Sequence, residues 1–353
     1  MNYKNILIIK LSAIGDIVHA IPVAHALKNC FPDARLTWIV EKPGYDLLTN
    51  NPCIDEIIIF DKPKFKSLRG LITNSPEFIA SLRRKKFDLA LDLQGLFKSS
   101  AIAALSGAPE RLVYENTREG SALLSRRIIG EHSKGHVVER YLDVVRALNC
   151  KIGDPTFSVC LTPNETDKAK SILESVGLAA DNPYIVLAIG ANWPNKIWPA
   201  ENFAALCDRA YAEGIVPVAV GSAGDLPLFE KLVAASEKAP VNLIGKTSLK
   251  ELAFTIKHAQ AFVGGDTGPM HLAAAMLTPV VALMGPTDAN RNGPYPSRNN
   301  KHRVLTADRP CAGCWQRKCS KNLDCLATIS VDEVFDAVTS IIRSIRNDID
   351  PGT

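Results

Sequence analysis

Several features that would settle the class of a chain at a glance are missing here. No uninterrupted apolar run approaches the roughly 18 residues that span a bilayer. The opening MNYKNILIIKLSAIGDIVHAIP has too short an apolar core for a secretory signal and sets Lys10 and Asp16 among its apolar residues. Nothing repeats at a fixed period, and 22 glycines with 22 prolines is ordinary usage, which excludes solenoid, collagen-like and low-complexity chains. The common nucleotide fingerprints are absent too. Gly221-Ser222-Ala223-Gly224-Asp225 lacks the third glycine and the spacing of G-x-G-x-x-G, and no G-x-x-x-x-G-K-[ST] occurs, so hydride transfer and P-loop phosphoryl transfer lose weight. The seven histidines are scattered without an H-E-x-x-H, and no catalytic metal is expected.

What is present is a chain of 353 residues, 46% hydrophobic and 22% charged: too apolar for disorder and too long for one compact core, so two globular domains are expected. With no export signal or membrane span the protein is expected to be soluble and cytoplasmic. Its nine cysteines should then stay mostly reduced, and their odd number argues against a complete disulfide framework. Net charge is +4 and unevenly spread: residues 1–150 hold 21 basic and 16 acidic side chains, the remainder 20 and 21. The first half therefore suits an anionic partner. Lys62, Lys64, Lys66 and Arg69 form one basic run in it. Arg83, Arg84, Lys85 and Lys86 form another, which a solvated helix C-terminus explains at least as well.

Short apolar runs (NILIIK, RLTWIV, DEIIIF, FDLALDL) alternate with helical patterns from the start, the signature of a mostly parallel, doubly wound α/β sheet whose ligands bind at the strand C-terminal edge. The helical stretch HVVERYLDVVRALN at 136–149 gives way to a turn-rich segment, and a domain boundary is expected there, with one Rossmann-like domain over 1–155 and a second over 160–353. The alternation restarts with YIVLAIG, VPVAVG, VNLIG, AFVGG and PVVALMG, so the two domains should face each other across a cleft. The tail VDEVFDAVTSIIRSIRN has an apolar face suited to packing on the second domain.

Four segments could carry chemistry. In Leu11-Ser12-Ala13-Ile14-Gly15-Asp16, after the first strand, Asp16 serves either as a helix cap or as a general base at the sheet edge. Gly264-Gly265-Asp266-Thr267-Gly268-Pro269-Met270-His271 runs from a strand into a helix. Its glycines permit close approach, Thr267 or Gly268 can cap, Pro269 suits the first turn, and the amides left over attract phosphate, with Asp266 and His271 on the same rim. In the loop from Gly190 to Pro199, Lys196 is either a phosphate partner or a surface lysine, and Trp198 packs on the following helix in the second reading. The fourth is Cys311-x2-Cys314-x4-Cys319-x5-Cys325, four cysteines within the loop 311–325, open to three readings: a structural zinc site, reduced thiols, or a disulfide or redox role.

Taken in order, KLSAIGDIVHAIP, WIVEK, DLQGLFKS, HVVERYLDVVRALN, the Lys-x-Trp-Pro loop and GGDTGPMHLAAA resemble the glycosyltransferase family 9 lipopolysaccharide heptosyltransferases over nearly the whole chain. WIVEK and DLQGLFKS are more similar to heptosyltransferase I than to II. The resemblance implies a GT-B fold with the acceptor on the first domain and the nucleotide sugar on the second. It implies inverting, metal-independent transfer of L-glycero-D-manno-heptose from ADP-heptose to the Kdo region of lipid A, without a cofactor. Asp16 would be the general base. Ser12, Asn192, Lys196, Asp225, Thr247, Asp266, Thr267, Gly268 and His271 would hold the donor; Lys62, Lys64, Lys66, Lys98 and Arg118 would face the anionic acceptor. Two departures stand out: Ala191 and Asn192 replace two threonines common in heptosyltransferase I, and Asp225 is shorter than the family's ribose-binding Glu. The basic first half would favour peripheral association with the cytoplasmic face of the inner membrane, and no nucleic-acid partner is expected. Two alternatives stay open: a family 9 transferase for another sugar or acceptor, and a two-domain ligand-binding protein without chemistry.

Overall fold

The structure is a computed structural model that describes residues 3–178, 182–296, 301–321 and 324–349. The chain divides into two compact units, Met1–Cys160 and Leu161–Thr353.

In the first unit β1 (Asn5–Ile9), β2 (Arg35–Val40), β3 (Glu56–Ile59), β4 (Leu89–Asp92), β5 (Glu110–Val113) and β6 (Arg126–Arg127) form a parallel sheet in the order β3-β2-β1-β4-β5-β6. The continuous apolar runs are explained by burial on both faces, as parallel sheets require: Ile6, Leu7, Ile8 and Ile9 are all buried. The helix Ile14–Cys30 is buried almost all round, and Asp16, in its first turn, is half-buried where the helix emerges at the sheet edge. Two of the six strands have no counterpart in the apolar runs, because β5 is ERLV and β6 is only Arg-Arg.

The second unit repeats the plan with β7 (Tyr184–Ala188), β8 (Val216–Val220), β9 (Val241–Asn242), β10 (Ala261–Gly265), β11 (Val280–Met284) and β12 (Arg303–Thr306), all parallel, in the order β12-β11-β10-β7-β8-β9. The helix Val331–Ile349 buries Val334, Ala337, Val338, Ile341 and Ile342, an i, i+3, i+4 stripe, in a core shared with Trp198, Phe203 and the strands. Trp198 is buried, donates from Nε1 to the Ile329 carbonyl at 3.0 Å and meets Phe203 edge to face, so its packing reading holds.

One expectation needs correcting. Cys30 and Cys150 are not reduced thiols: they are joined by a disulfide. The reason is local packing, because the helices Ile14–Cys30 and Val137–Arg146 lie against each other and bring the two Cα atoms to 5.7 Å. At the end of the helix Leu68–Arg83, Arg83, Arg84 and Lys86 are exposed, whereas Lys85 is half-buried and paired to Glu56 at 2.5 Å.

Candidate active site

In each sheet the chain winds outward one way from its first strand and then crosses to the other side, which leaves a crevice at the strand C-terminal ends. The crevice lies between β1 and β4 in the first unit and between β7 and β10 in the second. Each unit carries polar groups there.

In the first unit the helix begins at Ile14 with Ala13 as its cap residue, so Asp16 is the third helical residue and not the cap. Its Oδ2 accepts weakly from the Ala13 amide at 3.4 Å, stands 3.7 Å from Lys10 Nζ, and the side chain keeps 41% of its exposure. Lys10 is the residue that pattern reading passed over. It follows the apolar first strand and is buried, donating to the Leu93 carbonyl at 3.0 Å and to Tyr141 Oη at 2.8 Å. Burial pulls its pKa down, against the opposing pull of Asp16 and Asp92.

The DLQGLFKS segment holds this loop in shape. Asp92 accepts from the amides of Gln94 and Gly95 and from the hydroxyls of Ser99 and Ser100. Gln94 Oε1 in turn accepts from the amides of Leu11 and Ser12 at 3.0 and 3.1 Å. Burial raises the Asp92 carboxyl even against these four bonds. WIVEK and DLQGLFKS meet through Lys98, whose Nζ donates to Glu41 at 2.7 Å. Arg118 is exposed after β5, near enough for its charge to oppose that of Lys10. Lys62, Lys64 and Lys66 lie apart from this group, exposed after the edge strand β3, with Lys64 paired to Asp61 at 3.4 Å.

In the second unit Lys196, Asp266 and His271 form one cluster. Lys196 Nζ donates to Asp266 Oδ2 at 2.7 Å and to its main-chain oxygen at 3.1 Å, and lies 4.5 Å from the centre of the Trp193 ring. The other carboxylate oxygen meets His271 Nε2 at 2.9 Å. Lys196 is therefore no surface lysine: 14% of its side chain is exposed, and 3% of that of Asp266. Burial works to raise the Asp266 carboxyl, but the bond and charge of His271 and the charge of Lys196 outweigh it and hold the group well below the usual carboxylate range. The helix Gly268–Ala275 begins beside the cluster with Thr267 at its cap position and Pro269 in its first turn. Gly265 must be glycine, because a Cβ there would come 2.3 Å from the Lys196 carbonyl.

Asp225 accepts from the amide and hydroxyl of Ser222 and approaches Gly190 so closely that a Cβ would stand 2.1 Å from Oδ1. Asn192 is exposed in the Lys196 loop, and Thr247 is half-buried after β9, just before the helix Leu249–Lys257. Among the described residues no three His, Cys, Asp or Glu side chains gather to hold a metal ion. The cysteine loop follows β12, with residues 322–323 outside the described set. In it burial pushes the Cys325 thiol up, helped by Cys319, Cys311 and Cys314.

Comparison with known proteins decides the family. Residues 76–323, well over half of the chain, match the model of glycosyltransferase family 9 (heptosyltransferase). The chain belongs to this family. As a family 9 glycosyltransferase it is 28% identical to lipopolysaccharide heptosyltransferase 1 of Pseudomonas aeruginosa, over 89% of this chain and 87% of the relative. It is also 28% identical to lipopolysaccharide heptosyltransferase 2 of Salmonella typhimurium, over 85% and 88%. The solved family 9 glycosyltransferase of Veillonella parvula superposes with a TM-score of 0.85 at 25% identity, covering 98% of each chain. The two parallel sheets flanked by helices are the Rossmann-like domains of a GT-B transferase.

Proposed function

We propose that this family 9 enzyme is an inverting heptosyltransferase of lipopolysaccharide core assembly. It would move L-glycero-D-manno-heptose from ADP-heptose to the Kdo region of lipid A at the surface of the inner membrane. The observation that carries the donor half is the Lys196–Asp266–His271 cluster beside a helix N-terminus. An anionic diphosphate leaving group needs charge stabilisation more than it needs a protonating acid. Lys196 and the amides at Thr267 and Gly268 supply that charge without a catalytic metal, while Asp266 accepts from a sugar hydroxyl and His271 meets a sugar or phosphate oxygen. Asp225 receives the ribose and the backbone near Thr247 the adenine, with Ser12 and Asn192 completing the donor contacts.

On the first unit Asp16 takes the proton of the acceptor hydroxyl as that hydroxyl attacks the anomeric carbon. Its exposure supports the role: the side chain keeps 41% of its exposure, so the carboxylate is reachable. Lys62, Lys64, Lys66, Lys98 and Arg118 face the anionic acceptor. The WIVEK and DLQGLFKS segments favour the type I reaction. The equal likeness to a type 1 and a type 2 relative, with the changes at Ala191, Asn192 and Asp225, keeps a second reading in view, a transferase for another sugar or acceptor.

Calorimetric titration of the full chain in magnesium-free buffer tests the proposal. Binding of ADP and ADP-heptose with none of UDP is the expected result. Preference for UDP would move the enzyme to another donor, and no nucleotide binding would end the transferase mechanism as written.

A further inference from the structure

The helix Leu68–Arg83 carries one apolar stripe from end to end, but the protein covers only half of it. Leu82 is buried at the C-terminal end, and Phe78 packs on the core cluster of the first unit and stacks edge to face on Phe60 and Phe65. The same stripe continues toward the N-terminus through Leu71, Ile72 and Leu68, at helical spacing, and there it is bare: Leu68 is 75% exposed, Ile72 67% and Leu71 44%. Three large aliphatic side chains left to water on adjacent turns are a cost that packing does not explain.

Charge says what covers them. The two basic runs bracket this helix: residues 62–86 hold eight Lys and Arg against Glu77, and after Asp61 pairs with Lys64 and Glu56 with Lys85 the excess is still more positive than the whole chain's net +4. Lys62, Lys64, Lys66 and Arg69 lie next to the bare turns and are exposed. An apolar stripe rimmed by cations is the pattern of an element that lies in a bilayer interface, with its aliphatic side chains among acyl chains and its cations among anionic headgroups.

We infer that the first two turns of this helix, with Leu68, Leu71 and Ile72 inserted and Lys62, Lys64, Lys66 and Arg69 at headgroup level, dock the enzyme on an anionic lipid surface. The inference rests on the proposed function for why the enzyme visits a membrane, and on this helix alone for how it binds one. It predicts an interfacial anchor and no span; among the described residues no helix is long and apolar enough to cross a membrane.

The test is co-sedimentation of the full chain with vesicles of phosphatidylethanolamine and phosphatidylglycerol, and with vesicles of phosphatidylcholine. The wild type should sediment with the first and far less with the second. Leu68→Asp/Ile72→Asp should weaken binding about tenfold or more, and Arg69→Ala about fivefold. Thermal melting should be unchanged in both variants, since the altered side chains are exposed. Equal binding to both vesicle types, or an unaltered double variant, overturns the inference. So does a concentration-dependent dimer abolished by the same double substitution, which would assign the stripe to a second copy. Turnover of an acyl-free, water-soluble Kdo acceptor, measured on the same preparations, separates the two readings. Wild-type inactivity there counts against the proposed function and leaves the vesicle result standing. A double variant that loses this turnover along with vesicle binding would place the stripe in the acceptor site instead.

Discussion

The two sheet edges solve the same topological problem in opposite ways. At the β7/β10 crevice the functional groups are already tied to one another: Lys196, Asp266 and His271 are nearly buried and mutually bonded, and Gly265 lets the backbone close around them. At the β1/β4 crevice the tied groups lie underneath, in Lys10, Asp92 and Gln94, while Asp16 keeps 41% of its side-chain exposure and Arg118 is exposed. A fixed edge suits a donor of one size, whose charge must be met by groups that do not reorganise. An open, cationic edge suits a large anionic acceptor that arrives from outside and must leave enlarged. If the contrast is real, substitutions at the fixed edge should cost stability as well as binding, and those at the open edge should cost only function.

Asp266→Asn should show the largest effect, because it removes the one anion between two buried partners. Breaking a buried pair by losing one member costs about 3–5 kcal/mol, so the urea unfolding midpoint should fall steeply and donor binding should be lost. Acidification provides a second check with a definite sign. The folded-state pKa of Asp266 is depressed, so its stabilisation is complete above the ordinary carboxylate range near pH 4 and drains away as pH falls from there toward the depressed value. The stability gap between wild type and Asp266→Asn should therefore narrow as pH falls below about 4. A gap that stays open in acid, or an unchanged midpoint, would show that the cluster is not wired as its geometry indicates.

Asp16→Ala comes next and should separate the edges most cleanly. Loss of a general base lowers turnover about 100-fold or more, while ADP binding by calorimetry and the unfolding midpoint should stay close to wild type, since the side chain makes only one weak hydrogen bond and one 3.7 Å ion pair. A variant that keeps more than about a tenth of the rate would take the base away from Asp16.

What the sequence made legible follows the same division. Asp266, Thr267, Gly268 and His271 lie within six residues, so strand, turn and helix logic alone sets them on one rim, and the apolar runs mark most strands because parallel strands are buried on both faces. The wiring was not legible. Lys196 meets Asp266 across 70 residues, Lys98 meets Glu41 across 57, and Lys10 meets Tyr141 across 131, pairings that exist only once the strand order is known. Short strands such as β6 and β12 escaped because edge strands are half-exposed and tolerate charge, and Cys30 meets Cys150 only because two distant helices pack together.

The smallest expected effects belong to two lysines of the first unit, Lys98 at the β1/β4 crevice and Lys64 in the loop after β3, and they test whether that unit recognises charge at all. Lys98→Ala breaks a partly exposed ion pair with Glu41, the kind of contact that adds little to stability, so the unfolding midpoint should barely move. Lys64→Ala removes an exposed cation from the loop after β3. For each, KM for the Kdo-bearing acceptor should rise about fivefold at low ionic strength, with KM for the donor unchanged, and the difference from wild type should shrink as salt screens charges beyond a Debye length of about 10 Å at 0.1 M. An effect that ignores salt would mean that these side chains shape the loop without reading the acceptor's charge. A rise in donor KM would mean that the two edges share their ligands, and the contrast between a fixed donor edge and an open acceptor edge would fail at its weakest residues.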